Sequence, residues 1–588
     1  MLGNQSARAA LASAEADVQE APTVAQESHG PGLRRAVGVW GSYTWGYADV
    51  GADVYVALGI VMAAAQGATN VAFLFAGLVY VMVGLAYTEL AAAYPMAGGG
   101  QFYVLRGLGD FWGFVAGWAV LLDFTIDISL FALASAGYIN FFLPALNARV
   151  DVHLAGLTLP GVQPWLILEA TIFVVLLTIL NIIGVRESSR FNEVLGALDV
   201  ISESTILFFG FLFAFDPQLL LRQMTQSWPD PYHLAYGASL AIISFVGLES
   251  ISQASQETIR PGKVVPRTSL ALILTVLIYA LAFSNLGLAM LPWQSFAEHN
   301  GDPIAWLASH IPFLGLVAGP YVALLGATLV LISSNAGVFG SSRITYSMAR
   351  YDLLPRQLAR VHPKFRTPVR TLVVFSGFAL LELWLAGLSP NAYDVLGNMY
   401  AFGAATAYIL VFISLLVLRF VDPWTPRPFK VPLNIRFRGK DGESRLLPVV
   451  GILGLLGISS MLVMVVLTHA IGRLAGPGWL LLGLLIYVWH RKRSGLPVFG
   501  SVPRDWPQEQ LAVYADAEEY DLVEELQENL ARKRHLSGEE PRPRPTTPAA
   551  RVVAVPVPGP QSGPQPGSRD NDRRSTPIAR EEDQRREL

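Results

Sequence analysis

The chain has no cysteine in 588 residues. Disulfides, thiolate metal sites and cysteine nucleophiles are therefore excluded. Charge is scarce too: 15% of residues are Asp, Glu, Lys or Arg, against about 25% in a soluble globular chain. The nine histidines include no pair with metal-ligand spacing. His153, His233, His299 and His310 fall in one set of loops and His362 in the other. The glycine run MAGGGQ, after Pro95, has no following lysine, so a phosphate loop is not supported. ATP-driven transport within this chain is accordingly not expected. A net charge of −3 gives no reason to expect a nucleic-acid partner.

Apolar residues fill the space that charge leaves. They make up 52% of the chain, and the mean hydropathy is +0.42. These values predict an all-α polytopic membrane protein whose partner is the lipid bilayer. Apolar runs fall at about 40–66, 71–94, 111–142, 165–184, 194–215, 235–256, 268–291, 315–340, 370–388, 391–419, 447–469 and 474–490, about twelve crossings of roughly 20 residues each. Basic residues crowd alternate loops: Arg34 and Arg35, Arg106, Arg186 and Arg190, Arg260 to Arg267, Arg343 to Arg370, Arg419 to Arg445, and Arg491 to Arg493. The opposite loops show only Arg149, Arg222 and Arg473. The positive-inside rule then predicts both termini in the cytoplasm, and the persistence of the asymmetry supports an even span count.

Three regions are expected: a disordered N-terminus at 1–35, a transmembrane domain at 36–490, and a cytoplasmic, mostly disordered tail at 491–588. The first 35 residues carry no apolar run before Pro31, so the first span rather than a cleaved leader is expected to direct insertion. Within the tail, Glu509–His535 reads as an exposed helix. From Ser537 onward Pro, Arg, Ser and Gly dominate, a composition that cannot offset its ordering entropy. The tail is a candidate docking point for a cytoplasmic regulator.

Acids stand where the bilayer makes them costly. Asp49, Asp53, Asp123, Asp127, Asp199, Glu203 and Glu249 all lie within apolar runs, at a cost of about 2.5–3.5 kcal/mol each at mid-membrane. They must face a protein interior or a watered cavity, which points to a path for protons, cations or a charged solute. In the first span, TWGYADVGADVYVALGIV, Gly46, Tyr47 and Gly51 surround Asp49 and Asp53. The pattern predicts a helix break that frees backbone groups for a solute; close helix packing is the alternative. The sixth span, ASLAIISFVGLESISQASQE, repeats it with Phe245, Gly247 and Glu249. Paired interruptions in matching halves point to a transporter site. Asp123 and Asp127 share one helix face, so they form a shared-proton or cation site; backbone hydrogen bonds are the structural alternative for Asp127. Asp199 and Glu203 repeat the spacing, with Asp199 closer to the interface. Glu89, before Pro95, reads as interfacial. Ser333, Ser334 and Asn335 interrupt the eighth span, either as oxygen ligands for a hard cation or as helix-packing contacts.

Three blocks carry a family resemblance. YTELAAAYPMAGGGQFYVLRGLGDFWGFVAGW, SFVGLESISQASQETIRPGKVVPR and SSRITYSMARYDLLPRQLARVHPKFRTP resemble, in order, the end of span two with the start of span three, span six, and the loop after span eight of the amino acid–polyamine–organocation (APC) superfamily. The resemblance covers about 36–490. It implies a LeuT-like core of five plus five helices in inverted repeat, with discontinuous helices one and six, two peripheral helices, alternating access, and a solute held between the broken helices. In the family's amino acid carriers the solute carboxylate meets span-one backbone N–H groups. Here Asp49 stands in that stretch. An ionised Asp49 would repel a carboxylate by about 4 kcal/mol at 4 Å and an effective dielectric of 20. Some members carry a span-five lysine that substitutes for sodium; the aligned residue here is Asp199. The stretches YADVGADVYVALG and GWAVLLDFTI also resemble a subgroup that includes KimA-type potassium importers. That likeness carries Asp49, Asp123 and Glu249 over as cation-site residues. Val56, Asp127 and Val246 depart from the subgroup's oxygen ligands.

The resulting expectation is a permease, not an enzyme, in the cell membrane. It takes up an amino acid or amine with proton coupling and needs no cofactor beyond a coupling ion, H⁺ or Na⁺. Asp123, Asp127 and Asp199 are the proton-coupling candidates, and Phe245 is a candidate gate. The alternative is a KimA-like potassium importer. A transport-inactive sensor that signals through its tail is a third reading.

Overall fold

A computed structural model describes residues 35 and 37–537, save 155–156, 185–188, 248, 366 and 439–443. Among them are eleven helical runs long and apolar enough to cross a membrane. The first, Val39–Ala93, is 55 residues long. As one rod it would measure about 80 Å, against a hydrocarbon core of about 30 Å. The chain turns instead at Gln66, where φ is 50°, and the run makes two spans. With that run counted as two, twelve spans are present among the described residues, and the protein crosses the membrane many times.

Span 1 is Val39–Val50, a 3₁₀ turn at Gly51–Asp53, and Val54–Ala65. Span 2 is Thr69–Ala93, span 3 Asp110–Ile139, span 4 Pro164–Ile183 and span 5 Ser189–Phe213. Span 6 comprises Pro231–Leu240, a 3₁₀ stretch Ala241–Phe245 and, after a gap in the helix, Glu249–Gln253. Spans 7 to 12 are Pro261–Met290, Gly315–Arg350, Val369–Gly387, Ala392–Val421, Val449–Thr468 and Gly472–Arg493.

Burial sorts the spans. The apolar window of span 3 is 100% buried, whereas those of spans 4 and 12 are 28% buried and that of span 11 is 33%. Span 3 is therefore the central post, and it packs against spans 8 and 10. Spans 4, 11 and 12 turn exposed leucine, isoleucine and valine outward (Leu168, Ile172, Leu453, Leu481), which suits a surface solvated by lipid rather than water.

The interrupted spans are the first and the sixth, as the glycine–acid pattern predicts, but the two interruptions differ. In span 6 the backbone leaves the helix: Val246 is extended (φ −83°, ψ 156°) and Gly247 has φ 109°. In span 1 Val50, Gly51, Asp53 and Val54 all keep right-handed helical angles through the 3₁₀ turn. It is tightened, not unwound. Span 8 corrects the sequence reading: it is one helix of 36 residues running through Ser333–Asn335. Polar side chains there bond across the packing and leave the backbone ladder intact.

Two features escape the apolar pattern. Short antiparallel hairpins, Val150–Leu154 with Leu157–Val162 and Asn434–Arg438 with Ser444–Pro448, join spans 3 to 4 and 10 to 11. The segment after span 12 also folds, into helices Trp506–Asp516 and Tyr520–Ser537. This segment belongs to the same compact unit as the spans. Arginine–carboxylate pairs and buried tyrosines hold this segment, and helical periodicity does not report those. The rest of the expected tail lies outside the described residues, as does nearly all of the N-terminal region.

Candidate functional site

Asp49 closes the first half of span 1 at the level where span 6 opens. Its carboxylate accepts a hydrogen bond from Ser250, just past the span-6 break. Ser333 of span 8 reaches the Asp49 carbonyl at 3.4 Å and its Oδ1 at 3.5 Å. A Cβ on Gly247 would stand 3.1 Å from Asp49 Oδ2 and 2.9 Å from Val50 Cγ2. Glycine at 247 therefore both permits the left-handed backbone and lets span 6 approach span 1. Three spans meet at one acid, two of them with interrupted helices.

The span-3 acids face a second junction. Asp123 and Asp127 are buried, as is Asp53 on the 3₁₀ turn. Tyr400 of span 10 hydrogen-bonds Asp127 and lies within electrostatic reach of Asp123 and Asp53. Span 8 passes close by, since a Cβ on Gly337 would meet the Asp127 Cβ at 2.9 Å. Thr125, between the two acids in sequence, donates to Glu382 of span 9 at 3.1 Å.

Asp199 and Glu203 make a third acidic pair within span 5, and both are 0% exposed. Two tyrosines of span 1 clasp them. Tyr55 donates to Asp199 Oδ1 at 3.0 Å, and Tyr47 donates to Glu203. Among the described residues, Asp199 Oδ2 and Glu203 Oε1 have no hydrogen-bond partner, and no Lys, Arg or His forms an ion pair with either acid. Two bare carboxylate charges so placed in a dry site repel one another.

Several candidates lie elsewhere. Phe245 stacks on Tyr80 of span 2, with ring centroids 5.0 Å apart, and is drawn into the packing of spans 2 and 6 rather than over Asp49. Ser334 donates to the Ile128 carbonyl at 2.9 Å and so ties span 8 to span 3. Asn335 is bonded by Asn181 of span 4 at 2.6 Å. Gly46 serves close packing, since a Cβ there would stand 2.8 Å from Ile251 Cγ1; Gly51 opens the 3₁₀ turn. Glu249 begins the second half of span 6, but its side chain lies outside the described residues. Glu89 is fully buried, not merely interfacial: Arg419 and Arg427 pair with it, and the Val431 N–H donates to it at 2.8 Å.

Reading the sequence alone did not single out Tyr55, Tyr400 or Glu382. Tyr55 lies eight residues after Tyr47, a helical spacing that sets both on one side of span 1. That signal was available. Among the described residues, no three His, Cys, Asp or Glu side chains cluster as a metal ion would require.

Similarity to known proteins agrees with this arrangement. A family model described as amino acid permease matches residues 41–489. A branched-chain amino acid permease of Bacillus subtilis is 26% identical over 80% of this chain and 97% of its own length. A methylthioribose transporter of the same organism is 25% identical over 65% of this chain and 80% of its own. Cationic amino acid transporter 4 of mouse is 28% identical over 63% of this chain, and the match spans 57% of the mouse protein. Relatives and family are transporters rather than enzymes. Interrupted spans one and six, acids at their junction and a family match across all twelve spans converge: the chain belongs to the amino acid permease family of the APC superfamily.

Proposed function

We propose that this permease takes up an amino acid or amine across the cell membrane by alternating access, with a proton as the coupling ion and both termini in the cytoplasm. The observation that carries the reading is Asp49, bonded by Ser250 across the span-6 break and by Ser333 of span 8. A carboxylate at that junction receives an ammonium group. It disfavours a solute carboxylate beside it, so amine-bearing and cationic solutes are preferred over anionic ones. The interrupted backbone of span 6 lies beside that acid, and such interruptions meet a solute's remaining polar atoms.

Coupling is assigned to Asp199 and Glu203, with Asp123 and Asp127 as further proton carriers along span 3. Tyr47 and Tyr55 sit on the same span as Asp49. When the span-5 pair takes up or gives up a proton, the number of donors it needs changes, and both tyrosine donors belong to span 1. Protonation at span 5 and solute at Asp49 therefore bias the position of one helix, which is the physical content of coupling.

Purified protein in proteoliposomes tests this. Radiolabelled lysine, leucine and putrescine are offered under an imposed pH gradient, inside alkaline. Accumulation of at least one solute, abolished by a protonophore, is expected. Rubidium uptake without accumulation of any of the three solutes would replace this reading with a potassium importer.

A further inference from the structure

The segment after span 12 is bound to the transporter at two levels. Its root is buried. Arg491, 0% exposed, pairs with Asp110 at the start of span 3 at 2.9 Å and donates to the carbonyls of Pro497 and Gly500, each at 2.9 Å. Arg504 forks the same carboxylate at 2.6 and 3.3 Å and donates to the Tyr351 carbonyl at 2.9 Å, just after span 8. Asp505 then caps helix Trp506–Asp516. From that helix Gln510 and Tyr514 both donate to the Ala93 carbonyl, at 3.1 and 2.7 Å. Ala93 ends span 2, where carbonyls lose their partners within the helix. Glu509 meets Arg350 and Tyr351 at the end of span 8, at 3.2 and 2.8 Å.

The tip reaches the other side of the break. Asp516 pairs with Arg35 at 3.1 Å, and Arg35 also donates to the Ser255 and Thr258 carbonyls at the end of span 6, at 3.0 and 3.2 Å. Glu519 accepts from the Gly262 N–H at 2.8 Å, at the positive end of span 7. Lys263 pairs with Asp521 at 3.3 Å. The tip's ion pairs are partly exposed and individually weak.

The placement matters because span 6 leaves the helix at Val246 and Gly247 and span 1 tightens into a 3₁₀ turn at Gly51–Asp53, whereas spans 3 and 8 run on as single helices. The halves of spans 1 and 6 nearest this face have the freedom to move relative to the unbroken spans 3 and 8. The segment grips both groups at once. We propose that residues 494–537 form a latch across the face that carries the chain ends, rooted on span 3 and closed on spans 1, 6 and 7, and that its release is required for that face to open. This goes beyond the assignment of solute and does not depend on it.

The absence of native cysteine gives a clean assay. Ser255→Cys places a reporter at a fully buried position beneath the tip. Ser284→Cys, buried toward the far end of span 7, is the control. Maleimide labelling of the purified full-length protein is compared in three backgrounds: native, Tyr514→Ala, and Asp516→Ala with Glu519→Ala. Each altered background should raise labelling at 255 about tenfold, the scale set by losing one or two buried polar contacts from a local opening equilibrium, while labelling at 284 stays level. No rise at 255 in whichever background elutes as a monodisperse peak overturns the latch. An equal rise at both reporters also overturns it, as general loosening. No solute enters the assay, so its failure is separable from failure of the amino acid reading.

Discussion

Asp49 lies two positions after Tyr47, which turns them about 200° apart round span 1. One faces the Glu203 carboxylate and the other meets Ser250 and Ser333. That division makes the two roles separable by mutation. Asp49→Asn keeps the hydrogen-bonding shape and removes the charge. Uptake of amine-bearing solutes should fall about 10- to 100-fold, the value of a charge-assisted bond of about 1.5–3 kcal/mol, while membrane insertion is unchanged. Proteoliposome uptake with matched protein loading measures it. Tyr47→Phe removes the hydroxyl donor to Glu203, whose Oε1 already has no hydrogen-bond partner among the described residues. Counterflow exchange of solute should persist, whereas accumulation driven by a pH gradient should fall about tenfold, as one lost buried hydrogen bond predicts. Equal loss in both assays would assign Tyr47 to solute binding instead.

At the scale of elements, the span-6 break rests on one glycine. Gly247→Ala forces an alanine to φ 109° and puts a methyl 2.9 Å from Val50 Cγ2. Strain of about 1–3 kcal/mol should lower the melting temperature by several degrees and abolish uptake. Gly377→Ala is the matched control: nothing lies within 4 Å of a Cβ there, and alanine favours a helix by about 1 kcal/mol. Span positions were legible in the sequence because burial in lipid demands long apolar runs; span 10, expected at 391–419, is Ala392–Val421. The break at Val246 and Gly247 was legible because glycine beside an acid is doubly unfavourable in a membrane helix. Span 8 was misread because a Ser-Ser-Asn run looks like an interruption, whereas its side chains bond to Asp49, Ile128 and Asn181. Residue order along one chain cannot show which neighbour a side chain will find. For the same reason the tyrosine clasp on Asp199 and Glu203 was hidden although every member of it was visible.

On the scale of the whole molecule, the apolar pattern ends at span 12 but the folded unit does not. Polar anchors extend it to helix Tyr520–Ser537, and one of them titrates. Burial pushes the Glu519 carboxyl above its ordinary range, while the Gly262 N–H, Lys263, Arg35 and Arg260 oppose that rise. Asp516 and Asp521 lie on the same tip and are held by Arg35 and Lys263, and the buried Tyr514 is the remaining titratable neighbour. An acid whose value is raised on docking binds its proton more tightly when docked. Its contribution is therefore fully present below the ordinary glutamate value of about 4.3 and is lost as pH climbs through the raised one. The latch should accordingly hold more tightly in mild acid than at neutrality. Labelling of Ser255→Cys, with a reagent whose rate is first corrected for thiol ionisation on a free peptide, should increase from about pH 5 to 7. Glu519→Gln, which carries no charge at either pH, should flatten that slope. A slope unchanged by the substitution would move the pH response away from Glu519 and leave the tip held by its arginine and lysine pairs alone.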